Sequence, residues 1–157
     1  MPIKSLKPIT PAQRGRTVNG FDAITTDKPE KSLLIPFKKT GGRNSQGKMT
    51  MKYRGGGHKK KFRLIDFKRD RKDEYAEILS IEYDPNRTAF IALTKFEDGE
   101  KRYIIAPKGL KVGNKVISGK NVSPQIGNCL PLSVIPLGTT ISCIETVSYT
   151  HLRAHET

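Results

Sequence analysis

The stretch TAFIALTKFEDGEKRYIIA, Thr88–Ala106, decides the fold. Two short runs of β-branched and aromatic residues flank Asp98–Gly99, and Asp-Gly between apolar runs is a strong hairpin signal. Thr88–Phe96 therefore reads as a strand, and Lys101–Ala106 as a strand pairing back on it. Working outward, period-two patterns recur. In KMTMKYR, Lys48–Arg54, the residues Met49, Met51 and Tyr53 share one face, and Lys48, Lys52 and Arg54 the other. In KFRLIDF, Lys61–Phe67, Phe62 and Leu64 alternate with Arg63 and Ile65. EILSIEY, Glu77–Tyr83, places Leu79, Ile81 and Tyr83 together, and Asp84–Pro85 then opens a type I turn. Asn114–Ser118 and Thr139–Glu145 complete the pattern. No segment holds a 3.6-residue period over ten residues.

Short strands every ten to twelve residues, with turn chemistry between them, predict an all-β chain. The expected architecture is a small five-stranded, OB-fold-like barrel over residues 48–145, with little or no helix. Ahead of it, residues 1–47 carry Pro2, Pro8, Pro11, Pro29 and Pro36, which keep the backbone extended or turning. TGGRNSQG, Thr40–Gly47, is a polar, glycine-rich loop. This half reads as an arm that packs poorly alone and orders on a partner. Cys129 and Cys143 lie in apolar stretches, with no C-x-x-C pair, and read as reduced core residues. The aromatics Phe62, Phe67, Phe90, Phe96 and Tyr103 read as core first and stacking platforms second.

Charge narrows the function. The chain has 157 residues, 29 Lys and Arg against 15 Asp and Glu, a net charge of +14. Residues 1–72 hold 20 basic and 5 acidic residues, whereas residues 73–157 hold 9 and 10. Between Lys31 and Ile65 there are eleven basic residues and no acidic one. Such a block repels itself and gains stability beside a polyanion. A merely solvated surface would intersperse both signs. No apolar run reaches 18 residues, so no transmembrane helix is expected, and the first sixteen residues lack a secretory pattern.

KYRGGGHKKKFR, Lys52–Arg63, carries the chemistry. Its spacing is not that of a Walker loop, and His58 has no second His or Cys within ligand spacing, so neither nucleotide hydrolysis nor a metal is expected. A flexible linker explains the glycines but not the cations on both sides. Glycines let backbone N–H groups approach phosphate closely while Lys and Arg neutralise it. Folded RNA suits this better than duplex DNA, because no recognition helix is available for a major groove. A general single-strand-binding barrel with exposed aromatics is the second reading. No catalytic constellation of Ser/His/Asp, Cys/His or paired carboxylates is readable, which leaves an enzyme the least supported of the three. FKRDRKD, Phe67–Asp73, fits a charged surface loop or an RNA contact equally well.

The segments TTDKPEKSLL (Thr25–Leu34), GRNSQGKMT (Gly42–Thr50), GGGHKKKFRLIDFKRD (Gly55–Asp70), IEYDPNRTAFIAL (Ile81–Leu93), DGEKRYIIAPKGLKVG (Asp98–Gly113) and GNCLPLSVIPLGT (Gly127–Thr139) closely resemble the N-terminal half of the universal large-subunit ribosomal protein two family, of bacterial or plastid type. The resemblance covers about residues 1–145 and implies an extended basic arm and an oligonucleotide-binding-type barrel bound to large-subunit ribosomal RNA. In that family these parts organise RNA around the peptidyl-transferase centre and support subunit association. By position, Lys38, Lys39, Arg43, Asn44 and Lys48 would run along RNA. Lys52, Tyr53, Arg54, Gly55, Gly56, Gly57, His58, Lys59, Lys60, Lys61 and Arg63 would form the densest contact. Lys68 and Arg69, with Asn86 and Arg87 of the DPNR turn, are the remaining candidates.

The implied partners are ribosomal RNA and neighbouring ribosomal proteins, without cofactor, metal, membrane or small-molecule substrate. The implied setting is the ribosome, in the cytoplasm or the plastid stroma. Family members continue beyond the position of Glu145 into a second, SH3-like barrel and a basic extension. Here residues 146–157 read TVSYTHLRAHET, which fits neither the family nor the preceding strand pattern and reads as foreign sequence. Roles tied to the second barrel, and His151 and His155, are therefore not assigned to this chain.

Overall fold

The computed structural model describes residues 3–145, and the expectation for 146–157 lies outside them. Eight strands are present: β1 (Ile3–Ser5), β2 (Thr17–Asn19), β3 (Leu34–Pro36), β4 (Lys61–Arg63), β5 (Tyr75–Glu82), β6 (Ile91–Phe96), β7 (Lys101–Ile105) and β8 (Lys115–Ile117). Helix is confined to three single turns of 3-10 type, at Pro11–Gln13, Lys31–Leu33 and Leu132–Val134. The all-β expectation holds.

The centre is a four-stranded antiparallel sheet in the order β7-β6-β5-β8. The Asp98–Gly99 hairpin forms as expected: Phe96 N–H donates to Glu100 O at 2.9 Å, and Gly99 N–H to Phe96 O at 3.0 Å. Three residues turn the chain there, with Gly99 at φ +88°, a left-handed position that favours glycine. A fifth strand joins through a parallel bridge between Ile65 and Tyr103, so the Lys61–Asp66 segment flanks β7. The following chain crosses to the far edge. Asp73 N–H donates to Ser118 O, and Arg69 donates to Ser118 Oγ and Gly127 O. Arg69 thereby ties the two edges together, as in an OB-like arrangement.

Both faces of the sheet are covered. Ala76, Ile78, Ala92, Ile104, Leu110 and Val116 form one core cluster, while Ile91, Leu93 and Tyr103 form another with Leu33 and Ile65. That is why β6 begins as an uninterrupted buried run, Ile91 to Thr94, instead of alternating. The second cluster is closed by the segment before the barrel. Thr25 N–H donates to Ile81 O, Glu30 N–H to Tyr103 Oη at 2.8 Å, and Lys101 pairs with Glu30 at 2.6 Å.

β5 departs from simple alternation. Its register against β6 shifts between Ile78 and Ser80. Ile78 pairs with Thr94, but Ser80 pairs with Leu93 and Ile81 with Ala92, so Leu79 is the extra residue of a bulge. The expected grouping of Leu79, Ile81 and Tyr83 is corrected accordingly: Ile78 is wholly buried, whereas Leu79 and Tyr83 are exposed. The bulge turns Ser80 and Glu82 toward Tyr103. Ser80 and Tyr103 hydroxyls donate to the two oxygens of the buried Glu82 carboxylate. Burial and that carboxylate push the Tyr103 phenol well above its ordinary pKa.

Three further expectations change. Lys48–Arg54 and Thr139–Glu145 form no strand; of these residues only Met49 makes an isolated bridge, to Arg43. Phe62 and Phe67 are exposed, while Phe90 and Tyr103 are buried. The inward residues of the Lys61–Phe67 segment are Arg63 and Ile65, because Ile65 is the one that bridges to β7. Cys129 and Cys143 are exposed free thiols, not core residues. Cys129 pairs by backbone with the outer edge of β8, and Cys143 sits at φ +55° in a segment whose Ile141 and Ile144 are themselves exposed.

Candidate nucleic-acid interface

β3 and β4 form an antiparallel ribbon, with Leu34 opposite Arg63, Ile35 opposite Phe62 and Pro36 opposite Lys61. The ribbon holds both ends of an excursion, residues 37–60, that carries eight of the eleven cations of the acid-free block. Its shape comes from its own polar contacts. Asn44 Oδ1 accepts from Gln46 N–H and Lys48 N–H, and Asn44 N–H donates to Lys48 O. Gly42 O accepts from Thr50 N–H at 2.9 Å and Met51 N–H at 3.2 Å. Glycine is required at Gly42, where φ is +74° and a Cβ would lie 2.3 Å from Met51 O. It is required again at Gly55, where a Cβ would meet Gly41 Cα at 2.8 Å. At Gly56, also left-handed, a Cβ would meet open space.

Two lysines serve as struts. Lys39 Nζ donates to Gly56 O and His58 O, binding the glycine run to the strand leading into it. Lys60 Nζ donates to Pro85 O at 2.7 Å, anchoring β4 to the barrel turn at Asp84–Arg87. His58 Nδ1 lies 2.9 Å from Lys59 O, and Arg54 rests on Met51 Sδ. By contrast, Lys38, Lys48, Lys52, Lys59 and Lys61 are exposed, and their ammonium groups have no protein partner among the described residues. Every ion pair there uses Arg71, Arg87, Lys101 or Arg102. Among the described residues, none of the eleven cations from Lys31 to Arg63 is paired with a carboxylate. Positive charge is thus concentrated in one segment without carboxylate partners, where phosphate would be the counter-charge.

Tyr53 stands fully exposed at φ +59°, with Met49 and Met51 exposed beside it. These three do not share an inward face, because the backbone coils through turns there. Apolar surface is instead presented among cations. The other candidates lie differently. Lys68 is exposed, whereas the Arg69 guanidinium is engaged inside the barrel, and burial lowers its pKa. Asn86 donates to Lys61 O and to the buried Asp84, and Arg87 pairs with Asp84 at 2.6 Å. Both therefore shape the turn that supports β4.

An open cleft of about 430 Å³ lies between this ribbon and the barrel, lined by Pro29, Leu34, residues 58–61, Arg63, Tyr83 and Pro85. Tyr83 was missed by the sequence reading, which grouped it with the buried Ile81, whereas it lies one residue past the end of β5 and is exposed. The Arg63 Nε–H is buried there without an acceptor. Among the described residues no group of His, Cys, Asp and Glu could hold a metal, and no helix is long and apolar enough to cross a membrane.

An all-β, OB-like domain bearing one carboxylate-free, glycine-shaped cationic excursion defines the class. The chain belongs to the family described as Ribosomal Proteins L2, RNA binding N-terminal domain, whose model matches residues 30–118. It is 68% identical over 145 residues to the large ribosomal subunit protein uL2 of Flavobacterium psychrophilum, covering 92% of this chain and 53% of that protein. Similar relatives are the uL2 proteins of Christiangramia forsetii, 68% identical over 92% of this chain and 52% of theirs, and Cytophaga hutchinsonii, 60% identical with the same coverage. The chain spans about half the length of the curated relatives it matches.

Proposed function

We propose that this chain binds large-subunit ribosomal RNA as a non-catalytic, structural component of the ribosome. The observation that carries the reading is the excursion 37–60 with its flanking strands, in which ten cations have no carboxylate partner among the described residues while the backbone is fixed by glycines and asparagine. Fixed backbone with free ammonium groups suits a phosphate chain of defined shape better than a random coil. Within this face, Lys38, Arg43, Lys48, Lys52, Lys59 and Lys61 contact phosphates, Tyr53 stacks on a base, and Lys39 and Lys60 hold the loop in place. Residues 3–36 provide the arm that docks on the barrel, and the barrel proper serves as its platform. Bacterial cytoplasm is the setting the relatives' sources favour, with neighbouring ribosomal proteins as further partners. Help in shaping the peptidyl-transferase region and in subunit association is the role this reading gives the whole protein, of which the chain spans about half.

The single-strand-binding alternative loses its platforms. It needs Phe90, Phe96 and Tyr103 facing solvent, yet Phe90 and Tyr103 are buried and Phe96 lies under the Arg71 guanidinium at 4.5 Å. Filter binding to a ribosomal transcript and to a random single strand of equal length separates the two. Tighter binding to the transcript is expected, and equal affinities would overturn the proposal.

A further inference from the structure

We propose that the cleft between the β3–β4 ribbon and the Asp84–Arg87 turn receives one unstacked nucleotide of the bound RNA. The base would lie against Tyr83 and the adjoining phosphate between Lys59, Lys61 and Arg63. This rests on the RNA-binding reading and adds a specific subsite to it.

Four observations converge on the cleft. Its volume, about 430 Å³, falls in the range of roughly 300–1,000 Å³ typical of small-molecule sites. Tyr83 lines it while 47% exposed, and its ring is held from behind by Phe21 at 5.4 Å and 80°, with Phe21 in turn beside Phe90. A half-exposed aromatic ring with a fixed orientation is what a sequence-tolerant stacking contact needs. The polar atoms of the walls are already satisfied: Pro85 O by Lys60, and Lys61 O by Asn86 and Arg63. The charges are not. Among the described residues the Lys59 and Lys61 ammonium groups have no partner, and Arg63 keeps a buried Nε–H without an acceptor, its one hydrogen bond running from Nη1 to Lys61 O. The Arg63 guanidinium pairs with no carboxylate among the described residues, so a phosphate beside it would supply its counter-charge. Aromatic surface and unneutralised cations facing one cleft match a nucleotide, which has an apolar ring at one end and an anion at the other.

The three consecutive lysines therefore divide by role. Lys60 is a strut, whereas Lys59 and Lys61 are phosphate ligands.

The test uses the whole chain with a ribosomal transcript under ultraviolet crosslinking, followed by peptide mapping and filter binding. Tyr83 is expected to crosslink to one nucleotide position. Tyr83→Leu should weaken transcript binding about five- to 150-fold with the salt dependence unchanged, while Tyr83→Phe binds like the parent. Thermal melting checks that the variants fold, and the crosslink on the unsubstituted chain stands even where Tyr83→Leu does not. No crosslink at Tyr83, or Tyr83→Leu binding as the parent, would overturn the subsite while the parent still prefers the transcript to a random strand. Loss of that preference in the parent would overturn the RNA-binding reading itself, and the subsite with it.

Discussion

Gly42→Ala is the sharpest perturbation of the interface, and the structure sets its size. The residue sits at φ +74°, where an L side chain costs about 1–2 kcal/mol. The new Cβ would lie 2.3 Å from Met51 O, a backbone atom that cannot rotate away. Relief requires moving the segment whose Thr50 and Met51 N–H groups donate to Gly42 O. Each of those bonds contributes about 0.5–1.5 kcal/mol. The total, about 2–5 kcal/mol, disfavours the bound shape of residues 37–60 without touching either core cluster. Gly56→Ala is the internal control, because it has the same left-handed strain, φ +80°, but nothing within 4 Å of the added Cβ. In filter binding at fixed salt, Gly42→Ala should bind the ribosomal transcript about five- to 150-fold more weakly than Gly56→Ala, which is the worth of the two hydrogen bonds. Melting temperatures of the two should agree within a few degrees. Equal affinities for the two variants, or a barrel that melts early only with Gly42→Ala, would refute the reasoning.

Lys59→Ala with Lys61→Ala should reduce the slope of log affinity against log salt by about 1.5, measured between 50 and 200 mM, since two phosphate contacts disappear. Lys60→Ala should leave that slope almost unchanged and lower the melting temperature instead, because its ammonium group bonds to Pro85 O. Ile78→Ala should destabilise the barrel by about 2–5 kcal/mol in a denaturant titration, whereas Leu79→Ala, at the outward bulge, should cost under about 1 kcal/mol. The opposite order would contradict the bulge assignment. The acid limb of stability can also be placed. The Arg71 guanidinium holds the Asp98 carboxyl below its ordinary 3.8, Arg102 does the same to Asp70, and Lys101 holds Glu30 below 4.5. Depressed carboxyl pKa values stabilise the fold fully above the ordinary values, and this is lost as pH falls through the lower, folded ones. The denaturation midpoint should therefore stay level down to about pH 4.5 and decline below it, with a shallower decline in Arg71→Gln.

The sequence made the barrel legible where local chemistry and tertiary packing agree. Asp98–Gly99 named its hairpin, and the β5 to β8 strands followed from short runs between turn residues. Phase was harder. A single extra residue, Leu79, inverts which side of β5 faces inward, and period-two reading cannot see a bulge. That inversion hid the buried Ser80–Glu82–Tyr103 hydrogen bonds, while Tyr83 is exposed because β5 ends one residue before it. Around Lys48–Arg54, alternating Met and Lys imitated a strand, yet glycines at 41, 42 and 55 coil the backbone and leave the methionines outside. The cationic face was visible because charge segregation needs no three-dimensional information. Its division of labour was not, since Lys39, Lys60, Arg69, Asn86 and Arg87 look like their neighbours until their acceptors are placed.

The pairing of β3 with β4 has an engineering consequence. Pro36 and Lys61 pair at the ends of adjacent strands, about 5 Å apart as neighbouring strands are, so the twenty-four residues between them form an insert whose endpoints the ribbon already fixes. Replacing that insert with one twice as long would cost only about 0.6 kcal/mol in closure entropy. The cassette can therefore be swapped or resized on an unchanged scaffold, and the domain offers a mount on which other loop specificities can be displayed.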